Sequence, residues 1–169
     1  MITVMVAGLP GRMAKLVTEA VEKAEDLRFI QIALSEIREN WWSAANSLIT
    51  LVPLEGHEAE LKHWVPDIVV DFTAPTAVNR NAELYCKCGI PFVMGTTGGD
   101  RDLLKKTVNN SEVCAVIAPN MAPQIVVFQA MMEFATKNFP DSFNGYHLTI
   151  EESHQQGKKD TSGTAKAMV

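Results

Sequence analysis

Short apolar runs rich in β-branched residues recur along the chain, each followed by a polar loop and a helical pattern. Runs of this length are typical of strands buried on both faces of a parallel sheet. The predicted strands are 2–6, 28–34, 67–73, 90–94 and 113–117. The predicted helices are 13–21, 61–65, 77–87, 100–108 and 125–137. Alternating strands and helices predict an α/β fold with a doubly wound parallel sheet.

The segment 39–66 is the least informative part of the sequence, with a turn expected at 53–56 and a short helix at 61–65. The tandem Trp41 and Trp42 are expected to pack under a loop. His57 and His63 are single histidines in polar surroundings, so both are expected at the surface rather than as ligands.

A strand, a glycine turn and a helix follow one another at the start of the chain. Gly8 permits a tight turn, and Gly11 allows a pyrophosphate to approach the backbone at the helix amino terminus. Ala14 is small enough for close packing of helix on strand. The helix is predicted to bury Met13, Leu16, Val17, Ala20 and Val21. The spacing is GxxGxxA rather than GxGxxG, so a dinucleotide-binding loop and a plain strand-to-helix turn both fit this segment.

The second predicted strand ends at Ser35 and Glu36, where the ribose of an adenine dinucleotide would be read. An acid there accepts the ribose hydroxyls of NAD, whereas a serine with a nearby arginine tolerates the 2′-phosphate of NADP. Arg12 and Arg38 are both candidates to face that phosphate. Because either register is open, the sequence predicts use of both cofactors; a solvated loop is the alternative.

Ligands of such sheets bind outside the carboxyl ends of the strands. The loops that begin at Gly8, Asp71, Gly95 and Ala118 are all expected at that edge. They are the polar exits of predicted strands, so they are expected to form one site.

Residues 151–164 combine a histidine, two lysines and a Ser-Gly-Thr turn that precedes an Ala-rich helical pattern. They follow an apolar run at 147–150, which predicts one more short strand. Backbone N–H groups at a helix start attract anions, so Ser162, Gly163 and Thr164 are a candidate carboxylate or phosphate site. His154 and Lys158 would place a proton donor and a positive charge beside it. A solvated polar loop is the alternative.

Composition narrows the classes of function. The net charge of −5 argues against non-specific nucleic-acid binding, and the 47% hydrophobic content is ample for a core. Cys86 and Cys88 lack CxxC spacing, so buried free thiols in a reducing compartment are expected, with no metal site. No run approaches the length of a membrane span, and no signal or transit peptide is expected.

Taken in order, these motifs resemble the 4-hydroxy-tetrahydrodipicolinate reductase family, also called the dihydrodipicolinate reductases. The matching motifs are Gly11-Arg12-Met13, Asp71-Phe72-Thr73, Gly95-Thr96-Thr97-Gly98, Ala118-Pro119-Asn120-Met121, Glu152-Ser153-His154-Gln155, Lys158, Asp160 and Ser162-Gly163-Thr164-Ala165. Each motif is common alone, but their joint order is specific and spans the chain. The single histidine in Glu-Ser-His-Gln resembles the plant-type branch more than the usual bacterial one.

The resemblance implies a Rossmann-like domain that binds NADPH or NADH and reduces 4-hydroxy-tetrahydrodipicolinate to tetrahydrodipicolinate in the diaminopimelate pathway of lysine biosynthesis. The cofactor-binding residues that it implies are Gly8, Gly11, Arg12, Met13, Ser35, Glu36, Gly95, Thr96, Thr97, Ala118, Asn120 and Met121. It implies that His154 and Lys158 are catalytic, with Lys158 as the proton donor. The implied substrate-binding residues are Thr97, His154, Ser162, Gly163 and Thr164.

The resemblance also implies a domain organisation. Residues 1–122 are expected to be the dinucleotide-binding domain, and residues 123–169 the beginning of an α+β domain for substrate binding and oligomerisation. Because the family continues beyond Val169, the chain is interpreted as a fragment. The resemblance implies that the full-length protein is a homotetramer. It also implies a location in the cytoplasm, or in the plastid stroma if the protein comes from a plant. The alternatives are a truncated, non-catalytic nucleotide-binding module and a redox sensor of another Rossmann family, which the terminal His–Lys–Ser-Gly-Thr cluster disfavours.

Overall fold

The computed structural model describes residues 1–37, 41–43, 48–118 and 120–153. The chain divides into two units, Met1–Ala118 and Pro119–Val169. The first unit contains the sheet, and the second contains a long helix. The predicted functional boundary between residues 122 and 123 remains a prediction.

Among these residues, seven strands form one sheet in the first unit. The strands are β1 (Ile2–Ala7), β2 (Leu27–Leu34), β3 (Trp41–Ser43), β4 (Leu48–Val52), β5 (Ile68–Asp71), β6 (Phe92–Met94) and β7 (Ala115–Ile117). Their order across the sheet is β3-β4-β2-β1-β5-β6-β7. Every pairing is parallel except that of β3 with β4. The predicted doubly wound α/β fold is therefore confirmed.

Helices cover both faces of the sheet. The helices of the first unit, among the described residues, are α1 (Arg12–Lys23), α2 (His57–Trp64), α3 (Val78–Cys88) and α4 (Arg101–Asn109). The second unit contains α5 (Pro123–Asn138). Successive residues of β1 point to opposite faces. Val4 and Val6 join the apolar cluster that includes α1. Met5 and Ala7 join the cluster that includes residues of α2, α3 and α4.

The buried face of α1 differs from the predicted one. Ala14, Thr18 and Val21 are buried, whereas Met13 and Leu16 are about half exposed. Small residues on this face let the helix approach the sheet closely, and Thr18 satisfies its hydroxyl by donating to the carbonyl of Ala14 at 3.0 Å. The apolar periodicity alone therefore placed the face about one residue off.

The sequence indicated no strand in segment 39–66, yet this segment contributes two strands of the sheet, β3 and β4. Ile49 and Leu51 of β4 enter the core. Trp41 is 62% exposed, while Trp42 packs against the core and under the ammonium group of Lys15. His57 was expected at the surface and is instead 2% exposed, because its ring nitrogen finds backbone partners inside the fold. The expectation of buried cysteines also fails, because Cys86 and Cys88 are half-buried and Cys114 is exposed.

The described part of the second unit contains α5 and a 3₁₀ turn at Pro140–Phe143. The strand predicted at 147–150 does not form, and the described part of this unit offers no other strand to pair with it. Large apolar side chains of α5 are exposed, including Val127, Met131 and Phe134. Across the described ranges, no helix is long and apolar enough to cross a membrane.

Candidate functional site

Parallel strands of the first unit end at one edge of the sheet, and their exits are bonded to one another. The amide of Gly8 donates to the carbonyl of Leu34 at 2.8 Å, joining the exits of β1 and β2. Further bonds at this edge include Phe72 N to Ala7 O at 3.0 Å, Gly95 N to Asp71 O at 3.0 Å and Ala118 N to Met94 O at 3.1 Å. The loops predicted to share an edge therefore do so.

The turn after β1 requires glycine at its first position. Gly8 has φ +106°, and a Cβ placed there would lie 2.5 Å from the carbonyl oxygen of Phe72. A Cβ on Gly11 would lie 2.7 Å from the carbonyl oxygen of Gly8, to which the Gly11 amide donates at 2.8 Å. Both glycines let two backbones approach where side chains would collide.

The amino terminus of α1 is open to an anion. Its N-cap residue is Gly11, which has no side chain to cap the first turn, and no acidic residue lies in that turn. Arg12 and Met13 are exposed there. Uncapped N–H groups and the helix dipole together favour a phosphate group at this position.

At the exit of β2, Ser35 and Glu36 have different environments. Ser35 is fully buried; its hydroxyl donates to the carbonyl of Leu9 at 2.8 Å and accepts from the amide of Ile37 at 3.2 Å. The Ser35 hydroxyl thus ties the end of β2 to the glycine turn. Glu36 extends outward, and its Oε1 lies 3.4 Å from Nη2 of Arg80. Arg38, the other arginine predicted near this position, lies outside the described residues.

His57 lies beneath the same exit. Its Nε2 contacts the carbonyl oxygens of Ser35 at 3.1 Å and Val52 at 3.0 Å. Both partners are acceptors, so Nε2 carries the proton and joins the ends of β2 and β4. Burial lowers the pKa of His57, and the positive charge of Arg80 contributes in the same direction. Burial and the charge of Arg80 therefore both favour the neutral form of the His57 ring.

A buried carboxylate organises the exit of β5. Asp71 is fully buried, and its Oδ1 accepts from the amide and the hydroxyl of Thr73 at 2.8 and 2.6 Å. Its Oδ2 accepts from Nδ2 of Asn81 at 2.9 Å and from the phenol of Tyr85 at 2.7 Å. Burial, followed by the charge of Asp71, raises the pKa of Tyr85 well above its ordinary value. Among the described residues, four neutral donors therefore hold the carboxylate, and no cation bonds to it directly.

This carboxylate shapes the neighbouring loops. The Phe72 carbonyl approaches Gly8, while a Cβ on Gly95 would lie 2.2 Å from the Phe72 ring. The carbonyl of Thr73 accepts a 2.8 Å bond from the hydroxyl of Thr96. The turn 71–73 thus lies between the glycine turn and the loop after β6.

The loop after β6 is attached to α3 by a reciprocal pair of hydrogen bonds. Nδ2 of Asn79 donates to the carbonyl of Asp100, and the amide of Asp100 donates to Oδ1 of Asn79, both at 2.8 Å. Asp100 also caps α4 by accepting from the amide of Leu103 at 2.9 Å. These bonds fix the far end of the loop that carries Thr96 and Thr97.

The remaining predicted site residues divide into three groups. Thr97 and Ala118 are partly buried at the shared edge of the first unit. Asn120 and Met121 belong to the second unit, where Oδ1 of Asn120 accepts from the amide of Ala122 at 2.9 Å. The predicted catalytic and carboxylate-binding residues lie outside the described part of the chain: His154, Lys158, Ser162, Gly163 and Thr164.

Sequence reasoning missed four residues of this edge, namely His57, Arg80, Asn81 and Tyr85. Asn81 and Tyr85 lie on the buried face of α3 and are themselves buried. A polar residue on the predicted inner face of a helix is a usable signal, because buried polar groups need partners. Arg80 carries no such signal, because its partner Glu36 is 44 positions away.

A family model and curated relatives show the family to which the chain belongs. The family model described as dihydrodipicolinate reductase, N-terminus, matches residues 2–121. The chain is 45% identical to the probable 4-hydroxy-tetrahydrodipicolinate reductase 2, chloroplastic, of Oryza sativa subsp. japonica, over 98% of this chain and 53% of that protein. It is 43% identical to 4-hydroxy-tetrahydrodipicolinate reductase 1, chloroplastic, of Arabidopsis thaliana, over 99% of this chain and 50% of that protein. The chain therefore spans about half the length of these curated relatives.

A solved structure gives the same fold. The dipicolinate-bound dihydrodipicolinate reductase from Paenisporosarcina sp. TG-14 superposes with a TM-score of 0.68 at 24% identity. The superposition covers 83% of this chain and 56% of that one. At this identity the likeness establishes the architecture alone.

Proposed function

Because the chain belongs to the dihydrodipicolinate reductase family, we propose that it functions in the NAD(P)H-dependent reduction of 4-hydroxy-tetrahydrodipicolinate to tetrahydrodipicolinate. This reaction belongs to the diaminopimelate pathway of lysine biosynthesis. The observation that supports the proposal is the Gly8–Gly11 turn at the uncapped start of α1. This turn lies within residues 2–121, which match the family model.

The residues at the shared edge fit a dinucleotide. Gly8 and Gly11 allow the turn to pack closely against the backbone of Phe72 and Gly8, and the first turn of α1 supplies N–H groups without a competing acid. In this proposal the pyrophosphate lies from Gly8 to Met13, and the adenosine ribose lies near Glu36. The cofactor contacts proposed for the nicotinamide end are Gly95, Thr96, Thr97, Ala118, Asn120 and Met121.

The chemistry is assigned to the carboxyl-terminal motif on the basis of the resemblance. The substrate loses its hydroxyl as water, and the cofactor, when bound, supplies a hydride to C4 of the resulting conjugated imine. Lys158, a cation at neutral pH, donates the proton as negative charge develops toward the ring nitrogen of the substrate. His154 positions the substrate or shares in the proton transfer. Ser162, Gly163 and Thr164 bind a substrate carboxylate together with Thr97.

The first test measures nucleotide binding by residues 1–169. Fluorescence titration with NADH and NADPH should give saturable binding that Gly11→Asp abolishes, because a carboxylate then occupies the pyrophosphate position. Gly11→Ala is the matched control, because it places a Cβ beside the Gly8 carbonyl without adding a charge. Unchanged affinity in Gly11→Asp would exclude this loop as the phosphate site.

The second test separates a reductase from a non-catalytic nucleotide-binding module. A chain extended with the remaining half of a plant relative should oxidise NADH with freshly generated substrate, whereas residues 1–169 should bind nucleotide and turn over poorly. In the extended chain, Lys158→Ala should lower kcat by about 10² to 10⁴. Wild-type kcat in that variant would refute the assignment of Lys158 and make His154 the next candidate. Absence of turnover in an extended chain that binds nucleotide would favour the module.

The substrate, the oligomeric state and the compartment are also proposed from the family membership. We propose a small dicarboxylate as substrate and a homotetramer for the full-length protein. The rice and Arabidopsis relatives are named as chloroplastic. For this chain we propose the cytoplasm, or the plastid stroma in a plant.

A further inference from the structure

Arg80 projects from α3 toward the exit of β2, where the proposed adenosine ribose lies. Its Nη2 lies 3.4 Å from Oε1 of Glu36. The side chain of Arg80 is 48% exposed and that of Glu36 is 30% exposed. The two side chains thus form an ion pair that solvent and ligands can reach.

The position of the Arg80 guanidinium is set from inside the protein. Asn81 is buried and donates from Nδ2 to Asp71 at 2.9 Å and to the hydroxyl oxygen of Thr73 at 3.2 Å. This fixes the orientation of the amide, so its Oδ1 is the acceptor that faces Arg80. Nη2 and Nε of Arg80 lie 3.1 and 3.4 Å from that oxygen. Arg80 is therefore held in place by the same buried cluster that shapes the neighbouring loops.

Ser35 does not offer its hydroxyl to a ribose. That group is buried and bonded to Leu9 and Ile37. Of the two groups predicted at this exit, the carboxylate of Glu36 remains available to ribose hydroxyls, and it is accompanied by a guanidinium that the sequence did not indicate.

We propose that Arg80 determines cofactor specificity by binding the 2′-phosphate of NADPH, while Glu36 accepts the ribose hydroxyls of NADH. This inference rests on the proposed nucleotide site. A guanidinium offers a planar fork of donors that matches phosphate oxygens. The contact with Glu36 is long and partly exposed, so the pair is weak and Arg80 can exchange the carboxylate for a phosphate dianion. The two residues together allow both cofactors to bind.

The test is titration of NADPH and NADH against Arg80→Gln, with folding verified by thermal denaturation. Arg80→Gln should weaken NADPH binding about 10- to 100-fold, the range for losing a charge-assisted forked contact, and change NADH affinity less than about threefold. Lys87→Gln is the matched control, because Lys87 is a cation on the same helix that pairs with Glu58 instead. It should leave both affinities unchanged.

Two further variants sharpen the result. Arg80→Lys keeps the charge but loses the fork, so its NADPH affinity should fall between those of wild type and Arg80→Gln. Glu36→Gln should weaken NADH and not NADPH. Equal loss of both nucleotides in Arg80→Gln, or no loss of NADPH, would overturn the assignment of Arg80. Failure of the wild-type chain to bind either nucleotide would instead refute the proposed function on which it rests.

Discussion

The phenol of Tyr85 on α3 donates a 2.7 Å hydrogen bond to Oδ2 of Asp71 at the end of β5, and both residues are fully buried. The bond fastens a helix to the strand whose exit separates the glycine turn from the loop after β6. Because the acceptor is a carboxylate surrounded by neutral donors, each donor matters more than it would at the surface.

Tyr85→Phe should lower the free energy of unfolding by about 1.5–3 kcal/mol, the range for a hydrogen bond to a charged group. The ring remains and keeps its contact with Phe92, so the loss reports the hydroxyl. Urea denaturation measures the change. Tyr146→Phe is the control, since Tyr146 is 81% exposed, and it should change stability by less than about 0.5 kcal/mol. Equal effects of the two variants would contradict the role given to the buried bond.

Gly8→Ala should be far more damaging than Gly89→Ala, although both glycines have positive φ. A Cβ on Gly89 meets nothing within 4 Å, so that variant carries only the backbone strain, about 1–2 kcal/mol. A Cβ on Gly8 lies 2.5 Å from a backbone carbonyl, and strain plus displacement should cost about 3 kcal/mol or more. Denaturation and NADH titration should show that only Gly8→Ala loses nucleotide binding. Similar stability of the two variants would contradict the steric account of the turn.

His57 should make the stability of the chain depend on pH between about 5 and 7. Its folded-state pKa is lowered by burial, whereas the unfolded state titrates near the usual value of about 6.5. Below that value the unfolded chain binds a proton that the folded chain resists, so stability is lost as pH falls.

His57→Gln should therefore flatten the pH dependence of the unfolding free energy over this range. Denaturation at several pH values measures the slope. The control is His63→Gln, which removes an exposed histidine from the same helix. A slope in His57→Gln as steep as that of wild type would show that other groups set the acid sensitivity.

Asn79→Ala should loosen the loop after β6 by removing both bonds between Asn79 and the backbone of Asp100. Two such bonds contribute about 1–3 kcal/mol together, and their loss should also weaken NADH binding, because this loop carries Thr96 and Thr97. Denaturation and titration test the two effects. Glu83→Ala, an exposed substitution on the same helix, should alter neither. Unchanged NADH affinity in a destabilised Asn79→Ala would separate this loop from the nucleotide site.

The parallel sheet and the turn at Gly8 could be predicted from the sequence, because both follow from local constraints. Buried strands such as β1 need continuous apolar runs, and a strand that turns at once into a helix needs glycine where backbones meet. The motif order likewise indicated the family that the comparisons confirm. β4 was missed because it is a short segment whose strand character depends on pairing with β2.

The packing of helices on strands determines which polar side chains face one another. Asp71 binds Asn81 and Tyr85 because α3 packs on β5, and the Ser35 hydroxyl bonds to Leu9 in the glycine turn, 26 positions earlier. Arg80 reaches Glu36 across 44 positions. Hydrophobic periodicity predicts where helices and strands occur, because apolar burial is nondirectional and buried residues recur along the chain at regular spacing. Hydrogen bonds and ion pairs depend on distances of a few ångströms between elements, so the folded arrangement alone determines them.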